Sequence, residues 1–278
     1  MRTTKIVADS SANIRTLQHT GFAVAPLKVL AGRREFVDDA TLDVEKMITW
    51  FAGHKGKSHT SCPNPEDYLQ AFGDADDIFC VTITSGLSGS WNAATIAAEM
   101  YTTAHPERRV HVIDSLSAGP ELVLLIEKLE SCITEQMPYE DICREIDQYQ
   151  AQTGLLFMLE SLKNFAANGR VSPAVAKIAG VLGIRIVGRA STQGTLEPLH
   201  KCRGEHKALQ TIVNELKAAG LSQGKVRIAH CQNEAAARTL QEMLQQQIGP
   251  LDVQIHPCLG LCSYYAEKGG LLVGFERQ

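Results

Sequence analysis

Residues 78–85 read Ile-Phe-Cys-Val-Thr-Ile-Thr-Ser, an almost unbroken apolar run. A strand written this way is buried on both faces, which is the signature of a parallel sheet rather than of an alternating, half-solvated one. The run passes directly into Thr84-Ser-Gly-Leu-Ser-Gly-Ser-Trp91 and then into the Ala-rich Asn92-Ala-Ala-Thr-Ile-Ala-Ala-Glu-Met100. That order predicts a strand, a Ser/Gly turn and a helix over 91–103. Working outward, 5–11 (KIVADSS) and 109–115 (RVHVIDS) read as further strands, each ending in Asp-Ser, a turn and cap composition. The stretch 22–30 (FAVAPLKVL) reads as one strand, after which GRREFVDD turns the chain back. Helical spacing over 43–52, a loop over 58–64, and a helix opened by Pro65 with Glu66 and Asp67 in its first turn follow. With helices near 119–132 and 139–151, strand and helix alternate, so residues 1–154 are expected to form a doubly wound α/β domain on a parallel sheet.

Beyond 155–173 (LLFMLESLKNFAANGRVSP) the rhythm changes. Residues 183–204 hold two strand-like runs around a Gln-Gly turn, a hairpin. A helix (205–219), a strand (225–230), a helix (233–247) and strands at 251–256 and 270–276 complete a mixed α/β domain over 155–278. The expected class is therefore α/β, in two domains.

Composition narrows the function. The 278 residues are 44% apolar and 21% charged with a formal net charge of −4, and no basic stripe suggests nucleic acid as a partner. The N-terminus lacks the apolar h-region of a signal peptide and no apolar run approaches a membrane span, so the expectation is a cytoplasmic chain without stable membrane insertion. The eight cysteines include no Cys-x-x-Cys pair, and neither a metal nor a cofactor is expected.

The Ser/Gly turn carries three readings. GLSGS approaches the G-x-S-x-G elbow of a serine hydrolase, with Ser88 as nucleophile on acyl esters; Ser90 replaces the final Gly, and Asp114 arrives too early for that fold's triad. A phosphate loop would need the Lys of G-x-x-x-x-G-K-[ST] or the glycines of G-x-G-x-x-G, and neither motif is present. Asp9 and Asp114 read better as strand-end caps than as metal ligands. A carboxylate cradle needs only hydroxyls and the free amides of a helix N-terminus beyond the carboxyl ends of the strands. Ser88 and Ser90 supply hydroxyls there, and His59-Thr-Ser-Cys-Pro-Asn-Pro65 is a second hydroxyl-rich loop before a helix.

These segments, in their order and spacing, resemble the DegV family of bacterial fatty-acid-binding proteins along nearly the whole chain. The resemblance rests on KIVADSSAN, HTSCPNP, SGLSGSW, VHVIDS, ANGRVS, GIRIV and GTLEPLHKCRG. It implies a parallel α/β domain and a mixed α/β domain, with a long-chain fatty acid buried and its carboxylate held between them. Carried onto this sequence, it implies Thr60, Ser61 and Ser88 as ligand-binding residues, with the Gly89 amide beside them and Arg170 steadying the head group. It further implies a separate ATP-binding kinase subunit as partner, with Arg203 on the surface facing it, and no catalysis by this chain. Three departures stand out. Tyr265 occupies the place of a family histidine, Cys62 stands where Gln is common, and Pro120-Glu121 replaces a Gly-rich start. Glu121 is expected to be a first-turn acid, and Cys62 inert.

Overall fold

The structure, a computed structural model, describes residues 2–172 and 183–277. A four-stranded parallel sheet, in the order β2-β1-β6-β7, is built from Thr4–Asp9 (β1), Gly21–Ala25 (β2), Asp77–Thr82 (β6) and Arg109–Asp114 (β7). Every residue of β6 is buried, as its continuous apolar run requires. Helices Pro65–Phe72 (α2) and Ser90–Ala104 (α3) cover one face, where Tyr68, Phe72, Ala94 and Ala97 pack on Ile78 and Cys80. On the other face lie Pro120–Thr134 (α4) and Tyr139–Gln150 (α5), where Leu122, Leu125 and Ile126 meet Phe79 and Val81. Helix α2 opens with a full capping box: Asn64 Oδ1 accepts from the Asp67 amide at 3.0 Å and Asp67 Oδ2 from the Asn64 amide at 2.8 Å.

The expected single strand over 22–30 is two strands in different sheets. Pro26 has no amide to donate, so the β1–β2 ladder stops at Ala25. The Leu27 amide turns inward to Ser10 Oγ at 3.0 Å. Lys28–Ala31 (β3) then pairs antiparallel with Arg34–Val37 (β4) and Ser58–Ser61 (β5), a three-stranded sheet. Two segments taken as turn and loop are thus strands, and Thr60 is presented from a strand. Short, polar β5 carries little apolar alternation, which is why its sequence reads as a loop.

Thr153–Leu159 (β8) begins a six-stranded mixed sheet, ordered β10-β9-β8-β13-β11-β12. Its other strands are Ile184–Ala190 (β9), Leu196–Arg203 (β10), Lys225–His230 (β11), Asp252–Pro257 (β12) and Leu271–Glu276 (β13). The β9–β10 pair is the expected hairpin. Glu205–Ala218 (α7) and Glu234–Gln247 (α8) bury Leu209, Ile212, Leu240 and Leu244 against one face of this sheet. The short helices Lys163–Ala167 (α6) and Gly260–Ala266 (α9) border the junction between the sheets.

Helix α4 joins the two sheets. A Cβ at Gly274 of β13 would come within 2.5–2.6 Å of the Pro120 and Glu121 backbone, so only glycine permits this approach. The chain belongs to the α/β class, with a parallel sheet and a separate mixed sheet. No helix among the described residues is long and apolar enough to cross a membrane.

Candidate functional site

The turn after the carboxyl end of β6 faces the mixed sheet across a cavity of about 510 Å³. Leu27, Leu30, Phe157, Leu159, Leu261 and Leu272 make much of its wall, so most of it is hydrocarbon. Thr60, Ser61, Ser88, Gly89, Arg170 and Tyr265 all line this same cavity. Arg203 does not; it ends β10 with its side chain exposed.

The hydroxyls are held from behind by a buried carboxylate. Asp9 is fully buried at the end of β1. Its Oδ1 accepts from the Ser11 amide (3.1 Å) and hydroxyl (2.5 Å), and its Oδ2 from the Ile83 amide (2.8 Å) and the Ser90 hydroxyl (2.6 Å). Tyr68 OH completes the set at 2.6 Å from Ser90 Oγ. Burial pushes the Asp9 carboxyl up, while these donors pull it back. The result pins the first residue of α3. The Ser90 amide donates to Ser88 Oγ at 3.2 Å. That bond occupies a lone pair of Ser88 and leaves its O–H free to donate into the cavity. The Gly89 amide has no partner among the described residues and stands at the N-cap of a fifteen-residue helix, where the dipole favours an anion.

Opposite, Thr60 Oγ1 and Tyr265 OH lie 2.7 Å apart, and the Thr60 amide donates to Asn168 Oδ1 at 3.1 Å. Asn168 Nδ2 reaches Tyr264 OH at 3.1 Å, which in turn meets Ser58 Oγ at 2.7 Å. Tyr265 packs against Phe165 with ring centres 4.6 Å apart and the planes tilted by 32°. Burial raises the Tyr265 phenol, opposed by the Thr60 bond and the Arg170 charge, so the ring is neutral at neutral pH. Arg170 donates from Nε to Leu87 O at 3.0 Å and from its terminal nitrogen to Asn168 O. One cation thus ties the Ser-Gly turn to the Thr60 side. Cys62 lines the cavity close to the turn; a Cβ on Gly89 would lie 3.2 Å from its sulfur.

Three positioning residues escaped the sequence reading of the site. Asp38 is fully buried and accepts from the Gly260 and Leu261 amides at 3.0 and 2.8 Å, while Arg15 pairs with it at 2.5 Å. It thereby anchors the start of α9, the helix that carries Tyr264 and Tyr265. Asn13 Oδ1 accepts from the Leu259 amide at 2.9 Å and serves the same end. Asn168 is the third. Asn13 and Asn168 lie inside quoted motifs but were given no role there, and the pairings span more than one hundred residues of sequence, so only the fold brings them together.

Ser88 has no imidazole within hydrogen-bond distance among the described residues; its partner is the Ser90 amide. Asp114 Oδ1 accepts from the Ser85 and Leu116 amides at 3.0 and 3.1 Å, as a turn cap. No group of three metal-ligating side chains occurs among the described residues.

Comparison with known proteins adds the lineage. A family model described as "Uncharacterised protein, DegV family" matches residues 3–277. A DegV domain-containing protein of Streptococcus pneumoniae is 43% identical over 278 residues, 99% of each chain. Among solved structures, a DegV family protein from Eubacterium eligens loaded with heptadecanoic acid is 44% identical with a TM-score of 0.97, covering 99% of this chain and 100% of its own. The Streptococcus pneumoniae Fatty Acid Kinase (Fak) B3 protein loaded with linoleic acid is 43% identical, also with a TM-score of 0.97 and with the same coverage. From whole-chain sequence identity and whole-chain fold alike, this chain belongs to the DegV family.

Proposed function

We propose that this protein binds a long-chain fatty acid, its carboxylate held by Thr60, Ser61, Ser88 and the Gly89 amide and its hydrocarbon buried in the cavity between the two sheets. The observation that carries this reading is one cavity with an apolar wall and one polar corner, where the Ser88 hydroxyl and the Gly89 amide have no acceptor among the described residues. Residues 1–154 supply the carboxylate loops, and residues 155–278 cover the acyl chain. Arg170 and Tyr265 complete the polar corner. Two relatives of high identity were solved with a heptadecanoic and a linoleic acid chain.

Burial of about fourteen methylenes contributes roughly 11 kcal/mol before association and ordering costs. Release of such a ligand into water is slow, which favours chemistry on the head group while the tail stays bound. The chain acts as a non-catalytic carrier that presents the carboxylate to a separate ATP-binding kinase for conversion to an acyl phosphate. Its similarity to the Fak B3 protein supports that role. Arg203, exposed at the end of β10, lies on the surface that meets the kinase. Arg203→Glu should lower acyl phosphate formation with a cognate kinase while fatty acid affinity holds; equal rates would remove Arg203 from that interface.

Ser88→Ala and Thr60→Ala each remove a charge-assisted bond to the carboxylate. Each is expected to weaken fatty acid binding by about 1–2 kcal/mol, roughly five- to thirtyfold in Kd. Titration calorimetry on delipidated protein measures this. Wild-type affinity in both variants would refute the head-group assignment.

A further inference from the structure

One wall of the acyl cavity is a face of the mixed sheet, and its rows follow from strand register. Leu155, Phe157 and Leu159 of β8 line the cavity, while Leu156 and Met158 pack on the opposite face under α7 and α8. Phe157 stands directly opposite Gly188 of β9 on one side and Leu272 of β13 on the other. Directly opposed residues share a face of the sheet, so Leu272, Phe157 and Gly188 form one row across this wall. Phe157 is 3% exposed and is, among the described residues, the one aromatic side chain that the mixed sheet gives to the cavity.

The ring of Phe157 lies flat over Gly188. A Cβ at Gly188 would come within 2.7 Å of Phe157 Cε2, closer still to its Cζ, and within 2.5 Å of the Glu197 carbonyl oxygen on β10. The φ of Gly188 is not in the left-handed region, so the glycine answers to space and not to backbone conformation. A glycine inside a strand weakens it, and an aromatic ring laid across the bare backbone restores contact. The ring has one way out. Leu272 fills the side toward β13, and the Glu197 carbonyl closes the side toward β10. A larger residue at 188 would lift the ring off the sheet into the space that holds the hydrocarbon.

We propose that Phe157, held flat by Gly188, is a specificity-determining residue: the lie of its ring sets the width of the acyl cavity, and with it the balance between saturated and cis-unsaturated chains. This rests on the fatty-acid reading above and deepens it by naming what selects the chain. A cis double bond fixes a bend that no bond rotation removes, whereas a saturated chain rotates past an obstruction. Close-packed walls yield little, so the width at this row weighs more on the bent acid. Gly188 is a positioning residue that acts through the ring.

The test is the Kd ratio of oleate to stearate, and of the positional isomer cis-vaccenate to stearate, by calorimetry on the delipidated full chain. Phe157→Leu removes the ring and should move at least one ratio about fivefold toward the cis acid; Gly188→Ala should move it about fivefold the other way. The double variant Gly188→Ala with Phe157→Leu has no ring to lift, and its ratios should fall within about twofold of those of Phe157→Leu alone. A purely structural role for Gly188 would weaken the acids alike and leave the ratios unmoved. Phe157→Leu keeps the test decisive should Gly188→Ala fail to fold. Ratios in Phe157→Leu within about twofold of wild type, or shifts of the same sign in both single variants, overturn the proposal. Binding of the acids with unmoved ratios sinks only this inference; a wild type that binds none of them sinks the fatty-acid reading as well.

Discussion

Glu127→Ala is expected to lower the unfolding free energy by about 3–5 kcal/mol, the cost of stranding a buried charge. The charge is Arg227 on β11, which is 1% exposed. Glu127 reaches it from α4 with a bidentate fork, Nε to Oε1 at 2.7 Å and the terminal nitrogen to Oε2 at 2.8 Å. Lys225 Nζ adds a contact to Glu127 at 3.2 Å. Asp252 also pairs with Arg227 at 2.8 Å, but its side chain is half exposed and holds the other side of the guanidinium. The fork is a direct polar tie between the helix that covers the parallel sheet and a strand of the mixed sheet. Urea unfolding measures the loss. Replacing both partners by apolar residues, Glu127→Leu with Arg227→Met, should cost much less than the single change, since the ions that lose a partner, Asp252 and Lys225, are part-exposed and no buried charge is stranded. A single-variant loss below about 1 kcal/mol would contradict this view of the interface.

Asp9→Asn is the second large effect, and it reaches the site. All four partners of the Asp9 carboxylate are donors: two hydroxyls and the Ile83 and Ser11 amides. A hydroxyl can reverse its role; a backbone amide cannot. Whichever way the Asn side chain turns, its NH2 faces one of those amides. The expected loss is about 1–3 kcal/mol of stability. Fatty acid affinity should fall with it, by about tenfold or more, because Ser90 no longer fixes the start of α3 behind Ser88 and Gly89. Thermal unfolding and calorimetry on the same preparation separate the two effects. Full affinity in a destabilised variant would show that Asp9 serves the fold and not the head group.

How far the sequence reaches depends on the range of the interaction. Continuous burial of Ile78–Val81 is a local property of the chain, so the parallel sheet could be read from one run of residues. The Ser88 turn, the Pro65 helix start and the β9–β10 hairpin are equally local. Pro26 was also legible in principle, since a residue without an amide cannot continue a paired strand; a single apolar spelling over 22–30 masked the break. Ser58–Ser61 gave no such signal, because a short polar strand owes its pairing to β3 and not to its own pattern. The site divides the same way. Thr60 and Ser88 stand out as hydroxyls before helices, whereas Asp38, Asn13 and Asn168 act through partners far along the chain. Tyr265 meets Thr60 at 2.7 Å and, its phenol raised by burial, brings no charge to the site. Glu121 reads from sequence as a first-turn acid, which it is, and its burial accompanies the close packing of Gly274 against the α4 backbone.

The most direct measurement is organic extraction of the purified recombinant chain followed by mass spectrometry, with added hexadecanoate or octadecenoate on delipidated protein as the second arm. A fatty acid present at about one per chain, or one site filled on titration, is the expected result. An empty extract together with no binding of either acid would contradict the account at its centre.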